Sequence, residues 1–206
     1  YKRQIYRNAA KVPPATLLEF HKGRLESRSF WHVPEDQPRL NISFPEAVEE
    51  TERLFLDAVR LRLEADVTVG SLLSAGIDSS LVCWAIAQHN SAIKAFTVGI
   101  PGHPDDESKA AAQTAQFLGI PHEIVPLSGQ MSDNPFELLS SAFGEPFACG
   151  SSLGMLHVSN SVRKSATVLL TGDGGDDVFL GYPEHRLFYH TQRAAGFIPT
   201  LSLIHI

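Results

Sequence analysis

The sequence predicts an α/β fold: a mostly parallel, doubly wound sheet with helices on both faces. Two observations predict it. From residue 43 onward, short apolar runs rich in β-branched residues alternate with longer runs of helical period. The two loops richest in Gly, Ser and Asp each directly follow one of those apolar runs. A βαβα order needs crossover helices, and these cover both faces of a parallel sheet.

The elements follow in order. Residues 1–42 are irregular, basic and rich in proline (Pro13, Pro14, Pro34, Pro38), with Thr16-Leu17-Leu18-Glu19-Phe20 suited to a strand. Ser43-Phe44-Pro45-Glu46 is a capping-box pattern with Pro in the first turn. It predicts a helix over 45–65, with Ala47, Thr51, Leu54, Phe55, Ala58, Val59 and Arg62 at helical spacing. Residues 67–73 read as a buried strand, and 79–89 as a helix with Leu81, Val82, Ala85 and Ile86 inward. A strand over 94–100 precedes a helix over 106–118, begun by acidic residues and stopped by Gly119 and Pro121. Then come a strand over 122–127, helices over 136–143 and 153–164, and a β-branched strand over 166–170. No internal repeat is present.

Composition sets the broad class. At 206 residues, 43% hydrophobic and 19% charged, the chain suffices for one full core. A net charge of −6 argues against a general grip on nucleic acid. No apolar run reaches the length of a membrane span. Cys83 and Cys149 suggest neither a disulfide framework nor a zinc site, and fit a reducing cytoplasmic setting. The opening Tyr1-Lys2-Arg3-Gln4 lacks Met and a signal peptide, so the chain is expected to begin inside a longer protein or after processing.

Two loops carry chemistry. Ser74-Ala75-Gly76-Ile77-Asp78-Ser79-Ser80 lies between the first long strand and its helix. Small residues let backbone N–H groups approach an anion, the helix N-terminus adds partial positive charge, and the three serines offer hydroxyl donors. Asp78 beside an anion makes sense if it holds a magnesium ion bridging to phosphate. Thr171-Gly172-Asp173-Gly174-Gly175-Asp176-Asp177 follows the last strand. Its glycines permit unusual backbone angles and close ligand contact. Its carboxylates repel one another unless a cation or substrate offsets them. Neither a Walker motif nor a dinucleotide fingerprint is present.

These residues resemble a known family. The first loop is similar to the S-G-G-x-D-S motif of the ATP pyrophosphatase (PP-loop) superfamily. The second, continued through Val178-Phe179-Leu180-Gly181-Tyr182, resembles the S-G-[DE]-G-x-D-E-x-F-x-G-Y signature of glutamine-hydrolysing asparagine synthetases. Phe96-Thr97-Val98-Gly99, Asp106-Glu107-Ser108, Leu118-Gly119 with His122, and Glu145-Pro146-Phe147 followed by Ser151-Ser152 extend the likeness. Val12-Pro13-Pro14 and Phe30-Trp31 resemble the end of that family's glutaminase domain. The likeness implies an adenine nucleotide alpha-hydrolase-like fold, incomplete at the C-terminus. It divides the chain into the end of a glutaminase domain with linker at 1–42, an ATP-binding synthetase domain at 43–195, and a tail at 196–206 that nothing in the likeness accounts for.

The resemblance also implies roles. Backbone around Leu72 and Val98, with Thr171 and Gly172, would hold adenosine. Ser74, Ala75, Gly76, Ser79 and Ser80 would hold pyrophosphate, and Asp78 and Asp176 would bind Mg2+. Asp173 and Glu145 would help move protons. The implied reaction activates a carboxylate, aspartate or an analogue, as an acyl-adenylate. Ammonia from a glutaminase domain absent here then attacks it. A homodimer is one arrangement the likeness admits for the full-length protein. The chain departs from the family pattern at Ala75, where glycine is usual, and at Gly144, Asp177 and Leu180. If Ala75 needed positive φ, its methyl group would be strained. The 206 residues alone are expected to bind magnesium-ATP weakly at best and not to make an amide from glutamine, since the family's lysine to the phosphates lies beyond the likeness.

Two other readings stand beside this one. The chain could bind nucleotide without turnover. Alternatively, Gly150-Ser151-Ser152-Leu153-Gly154 matches a nucleophile elbow, with Asp173 or Asp176 and His185 or His190 following in hydrolase order. The elbow needs a strand before Ser152, and the preceding residues make a poor one. His103, His122, His157, His185 and His190 lack metal-ligand spacing and read as surface or core residues, and Cys83 as packing.

Overall fold

The computed structural model describes residues 7–32, 40–89, 93–127, 134–144 and 149–195. Glu145 and the tail 196–206 lie outside the described residues. The chain divides into two compact units, Tyr1–Glu50 with Gln130–Leu153, and Thr51–Gly129 with Gly154–Ile206.

In the first unit, β1 (Thr16–His21) and β2 (Arg24–Ser29) form an antiparallel hairpin in which His21 pairs with Arg24. The two connecting residues, Lys22 (φ 47°) and Gly23 (φ 78°), both take positive φ. That is the turn geometry whose twist matches the strands it joins. The sequence suggested only the first strand. Arg24-Leu-Glu-Ser-Arg-Ser has one apolar residue and no alternation, so its pairing comes from the turn rather than from burial. The Ser43 capping box forms as predicted. Glu46 Oε2 accepts the Ser43 N–H at 2.7 Å, and Ser43 Oγ accepts the Glu46 N–H at 3.4 Å. The Ser43 backbone hydrogen bond, the largest cause, holds the Glu46 carboxyl below its ordinary pKa. Helix α1 (Phe44–Leu63) begins there and runs into the second unit. Helix α2 of the first unit's second segment (Pro135–Phe143) is capped by Asn134, whose side chain accepts the Glu137 N–H, and ends at Gly144 in the left-handed region (φ 67°).

The second unit holds β3 (Val69–Leu72), α3 (Ile77–Gln88), β4 (Ala95–Gly99), α4 (Ser108–Leu118), β5 (His122–Pro126), α5 (Ser152–Val162, which begins in the first unit), β6 (Val168–Leu170), α6 (Gly175–Phe179) and α7 (Pro183–Ala195). The four strands form one parallel sheet in the order β5-β4-β3-β6. Alternation along the strands separates its faces. Leu72, Phe96, Val98 and Leu169 pack with Val158 and Val162 of α5. Leu73 and Ala95 pack instead with Cys83 of α3 and Ala111 and Ala115 of α4. A third cluster joins Val59 of α1 to Val82, Ala85 and Ile86 of α3, with Leu170 against it. The fold class predicted from the sequence is the one observed.

Several elements differ from expectation. Strand β3 omits residues 67 and 68, although the Thr68 carbonyl still accepts the N–H groups of Thr167 and Val168. Helix α4 starts at Ser108 rather than 106, because Asp106 turns back and its Oδ1 accepts the Ser108 N–H at 3.0 Å. Helices α6 and α7 were not anticipated.

Candidate functional site

The chain leaves β3, winds outward through β4 and β5, and returns to β6 on the other flank of β3. In an open parallel sheet, that reversal opens a crevice at the carboxyl ends of the strands. The register Ser71↔Leu170 brings the ends of β3 and β6 level, so the loops after them start side by side. A cavity of about 550 Å³ lies there. Its size is that of a small-ligand site.

Of the residues singled out from the sequence, Leu72, Ser74, Gly76, Asp78, Ser79, Val98, Thr171, Gly172, Asp173 and Asp176 line this cavity. Ala75 and Ser80 are not among its lining residues. The Ala75 N–H is donated to Glu107 Oε2 at 3.1 Å, and the Ser80 hydroxyl to the Gly76 carbonyl at 2.7 Å. Glu107 and Asp105 from the segment before α4, Met155 from α5, and Tyr182 also line the cavity and were not assigned site roles from sequence. They come from segments far apart in the chain, and only the fold assembles them.

The serine hydroxyls do other work than expected. Ser79 Oγ accepts the Ser74 N–H at 3.1 Å and donates to the Gly76 carbonyl at 3.2 Å. With its one proton so committed, it accepts from Ser74 Oγ at 2.9 Å. Ser74 Oγ in turn accepts the Gly76 N–H at 3.0 Å. The hydroxyls thus shape the loop, and Gly76 caps α3 without a side-chain hydrogen bond. The first-turn N–H groups of α3 are ones that a helix leaves without internal partners, and such groups are the usual backbone donors to an anion.

Ala75 departs from the family pattern without strain. Among the described non-glycine residues, positive φ occurs at Ala15, Lys22 and Leu180. Ala75→Gly is therefore expected to leave nucleotide affinity unchanged and to destabilise the fold by about 0.4–1 kcal/mol through added unfolded-state entropy. Calorimetry and urea unfolding of the two proteins check both halves.

The second loop closes tightly on the first. A Cβ at Gly172 would lie 2.7 Å from the Ser79 nitrogen and 2.8 Å from Asp78 Cβ. A Cβ at Gly175 would lie 2.5 Å from Asp78 Cγ. The Asp78 carboxylate thus rests against the residue that precedes Asp176, and both carboxylates are half-buried. Gly174 alone of the three loop glycines has positive φ, at 90°. Thr171 Oγ1 donates to Asp173 Oδ2 at 3.0 Å, which fixes that carboxylate over the loop.

The electrostatics are one-sided. Asp78, Asp105, Glu107, Asp173 and Asp176 line the cavity, and no Lys or Arg is among the described lining residues. The field of Asp177, first among its causes, pushes the Tyr182 hydroxyl above its ordinary pKa, with Asp176, Asp173 and Asp78 adding to it. Such an oxygen-rich, negative site suits a hard divalent cation. Among the described residues no group of three or more His, Cys, Asp or Glu is arranged to hold a metal. Two carboxylates are nonetheless the usual protein share for magnesium, which keeps water and phosphate oxygens for the rest of its shell.

The hydrolase reading does not survive the geometry. Ser152 is buried, at 3% exposure, and its Oγ donates to the Cys149 carbonyl at 2.7 Å. Gly150 and Ser151 before it form a turn rather than a strand, and Ser152 opens α5. A buried hydroxyl whose proton is held by a main-chain carbonyl is not a poised nucleophile. The neighbouring exposed Cys149 thiol has its pKa lowered, mainly by a hydrogen bond from the Ser151 side chain, whereas burial raises that of Cys83. In mildly alkaline solution iodoacetamide is expected to label Cys149 completely before Cys83 reacts. Peptide mapping reads the order.

Comparison with known proteins agrees with the loops. The profile of the family described as Asparagine synthase matches residues 50–203. A putative glutamine-hydrolyzing asparagine synthetase 2 of Methanocaldococcus jannaschii is 31% identical, over 88% of this chain and 35% of that protein. Glutamine-hydrolyzing asparagine synthetase 1 of Bacillus subtilis is 28% identical, over 89% of this chain and 31% of that protein. Amidase chyE of Penicillium rubens is 29% identical, over 89% and 30%. The chain spans about a third of the length of these relatives. With three quarters of its residues matched by one profile and both loops in place, the chain belongs to the asparagine synthase family.

Proposed function

We propose that this chain forms the ATP site of an amide-forming ligase. The observation that carries the reading is the convergence of the β3 and β6 loops, with Asp78 and Asp176, on one cavity. Adenosine would lie along the strand ends at Leu72 and Val98, against the Thr171–Gly172 backbone. The phosphates would lie over the first-turn N–H groups of α3, where fixed dipoles favour negative charge. Asp78 and Asp176 would hold magnesium, which when bound offsets phosphate charge. The cavity's own five carboxylates make that offset a requirement for polyphosphate binding.

In the proposed reaction a substrate carboxylate oxygen attacks the α-phosphorus and the bond to pyrophosphate breaks. Ammonia then attacks the acyl carbon and AMP leaves. Asp173, whose carboxylate accepts from Thr171, would take the proton that the nitrogen sheds. Glu145 is the other candidate for that role. Aspartate, ammonia from a glutaminase domain and a cytoplasmic setting belong to this reading, supported by the relatives' names and by the free thiols of Cys83 and Cys149. Among the described residues no helix is long and apolar enough to cross a membrane. A second reading, nucleotide binding without turnover, is favoured by the absence of Lys and Arg among the described lining residues.

Aspartate labelled with oxygen-18 in its carboxylates separates these readings. Under single-turnover conditions with magnesium-ATP and ammonium, the ligase reading predicts AMP that carries the label. Binding without label transfer supports the second reading. Release of ADP and phosphate, or of unlabelled AMP, contradicts adenylation.

A further inference from the structure

A residue outside the cavity controls one of its edges. Pairing of β3 with β4 ends at Leu72↔Phe96, and the Leu73 N–H still reaches the Phe96 carbonyl at 2.9 Å. The Leu73 carbonyl comes next, just where the chain turns into the phosphate loop. Leu73 is 2% exposed, so that carbonyl needs a donor inside the protein. Thr97 supplies it, with Oγ1 at 2.6 Å from Leu73 O. The same Oγ1 lies 2.7 Å from His122 Nε2, at the start of β5.

Counting protons fixes the direction. A threonine hydroxyl has one hydrogen and can accept as well. If it donated to His122, two oxygens 2.6 Å apart would face each other with no proton between them. His122 Nε2–H therefore donates to Thr97 Oγ1, which donates to Leu73 O. The other edge of that same peptide group, the Ser74 N–H, is held by Ser79 Oγ at 3.1 Å. The Leu73–Ser74 peptide plane is thus pinned on both sides, by the sheet through Thr97 and by α3 through Ser79. Burial keeps His122 on the neutral side by lowering its pKa.

We propose that His122 is a positioning residue of the phosphate loop. Its Nε2–H orients the Thr97 hydroxyl onto the Leu73 carbonyl, and so sets the peptide plane from which Ser74 enters the cavity. The loop's part in binding phosphate rests on the ATP reading above; the clamp itself does not. The effect should fall on the phosphate side of the site, since neither Leu72 nor Val98 is held by this relay.

The test uses the whole chain. Nitrogen-15 spectra of the wild-type ring are expected to show the proton on Nε2; a ring protonated on Nδ1 alone overturns the proposal, and this readout needs no substitution. Without nucleotide, His122→Leu and Thr97→Val should each lower hydrogen-exchange protection of the Ser74 amide about tenfold, the scale of one hydrogen bond. His122→Gln, which keeps an N–H donor at similar reach, should retain the protection. His122→Leu should add no further loss in a Thr97→Val background. With nucleotide, His122→Leu should weaken magnesium-ATP binding about tenfold and leave adenosine binding within about twofold, again on the scale of one hydrogen bond. Unchanged protection in His122→Leu, equal losses in the Gln and Leu variants, or a loss that persists without Thr97 contradicts the relay. A wild-type chain that shows the exchange pattern and binds no magnesium-ATP counts against the ATP reading and leaves the clamp standing.

Discussion

Asp176→Asn is expected to weaken binding of magnesium-ATP about a hundredfold while strengthening binding of metal-free ATP. Both signs follow from the same charge. Asp78 and Asp176 line one cavity, and Asp78 rests against Gly175. If the pair holds magnesium as proposed, replacing a carboxylate by an amide removes one of its two protein ligands. Loss of even an outer partner of a metal site commonly costs 10–100-fold in affinity, so loss of a direct ligand belongs at about the upper end. Metal-free ATP in this cavity would meet five carboxylates among the described lining residues, and no Lys or Arg. Removing one of the five lowers that repulsion. Asp78→Asn should behave alike. Titration calorimetry with magnesium, and again with EDTA, gives both affinities. A parallel loss in both conditions would mean that Asp176 acts on the fold or on the nucleotide directly, and not through a cation.

Gly172→Ala is expected to destabilise the chain by about 1–3 kcal/mol, the ordinary cost of overpacking, and to abolish measurable nucleotide binding. The added methyl would meet the Ser79 nitrogen at 2.7 Å and the Asp78 carbonyl carbon at 2.9 Å. These are main-chain atoms at the start of α3, and no rotamer change moves them. Relief requires the β3 and β6 loops to separate, which pulls apart the two carboxylates. Gly174 offers the contrast. It has φ 90° and nothing within 4 Å of an added Cβ. There the penalty is backbone strain, so Gly174→Asn should recover much of what Gly174→Ala loses, because Asn tolerates the left-handed region. Asn at 172 should be no better than Ala. Urea unfolding of the four variants tests the distinction; equal behaviour at the two positions would remove the steric account.

The sequence carried the parts of this site that are local. Val69-Gly70-Ser71-Leu72 reads as a strand because burial leaves apolar or small residues throughout; Val168-Leu169-Leu170 reads as one by its apolar run, although Val168 is exposed at this edge of the sheet. The loops after them stood out by composition, and the sheet order places them together. Three glycines in the second loop were readable as a need for freedom. Which need each one meets was not, because close approach at 172 and 175 and positive φ at 174 depend on where α3 lies. Ala75 raised the opposite question, and only its backbone angle answers it. Glu107 reaches the loop across 32 positions of sequence, and His122 acts on Thr97 across 25. Neither distance leaves a periodic trace. Strand β2 was missed for a different reason: it has almost nothing apolar to bury.

The claim at the centre is that the ends of β3 and β6 form one magnesium-nucleotide site. Amide spectra of the nitrogen-15-labelled chain, titrated with magnesium and a non-hydrolysable ATP analogue, test it most directly. The account predicts saturable shifts that fit a single site, concentrated at residues 76–79 and 171–175 and lost when Asp78 and Asp176 are both replaced by Asn. Saturable shifts that leave those two loops untouched would contradict it.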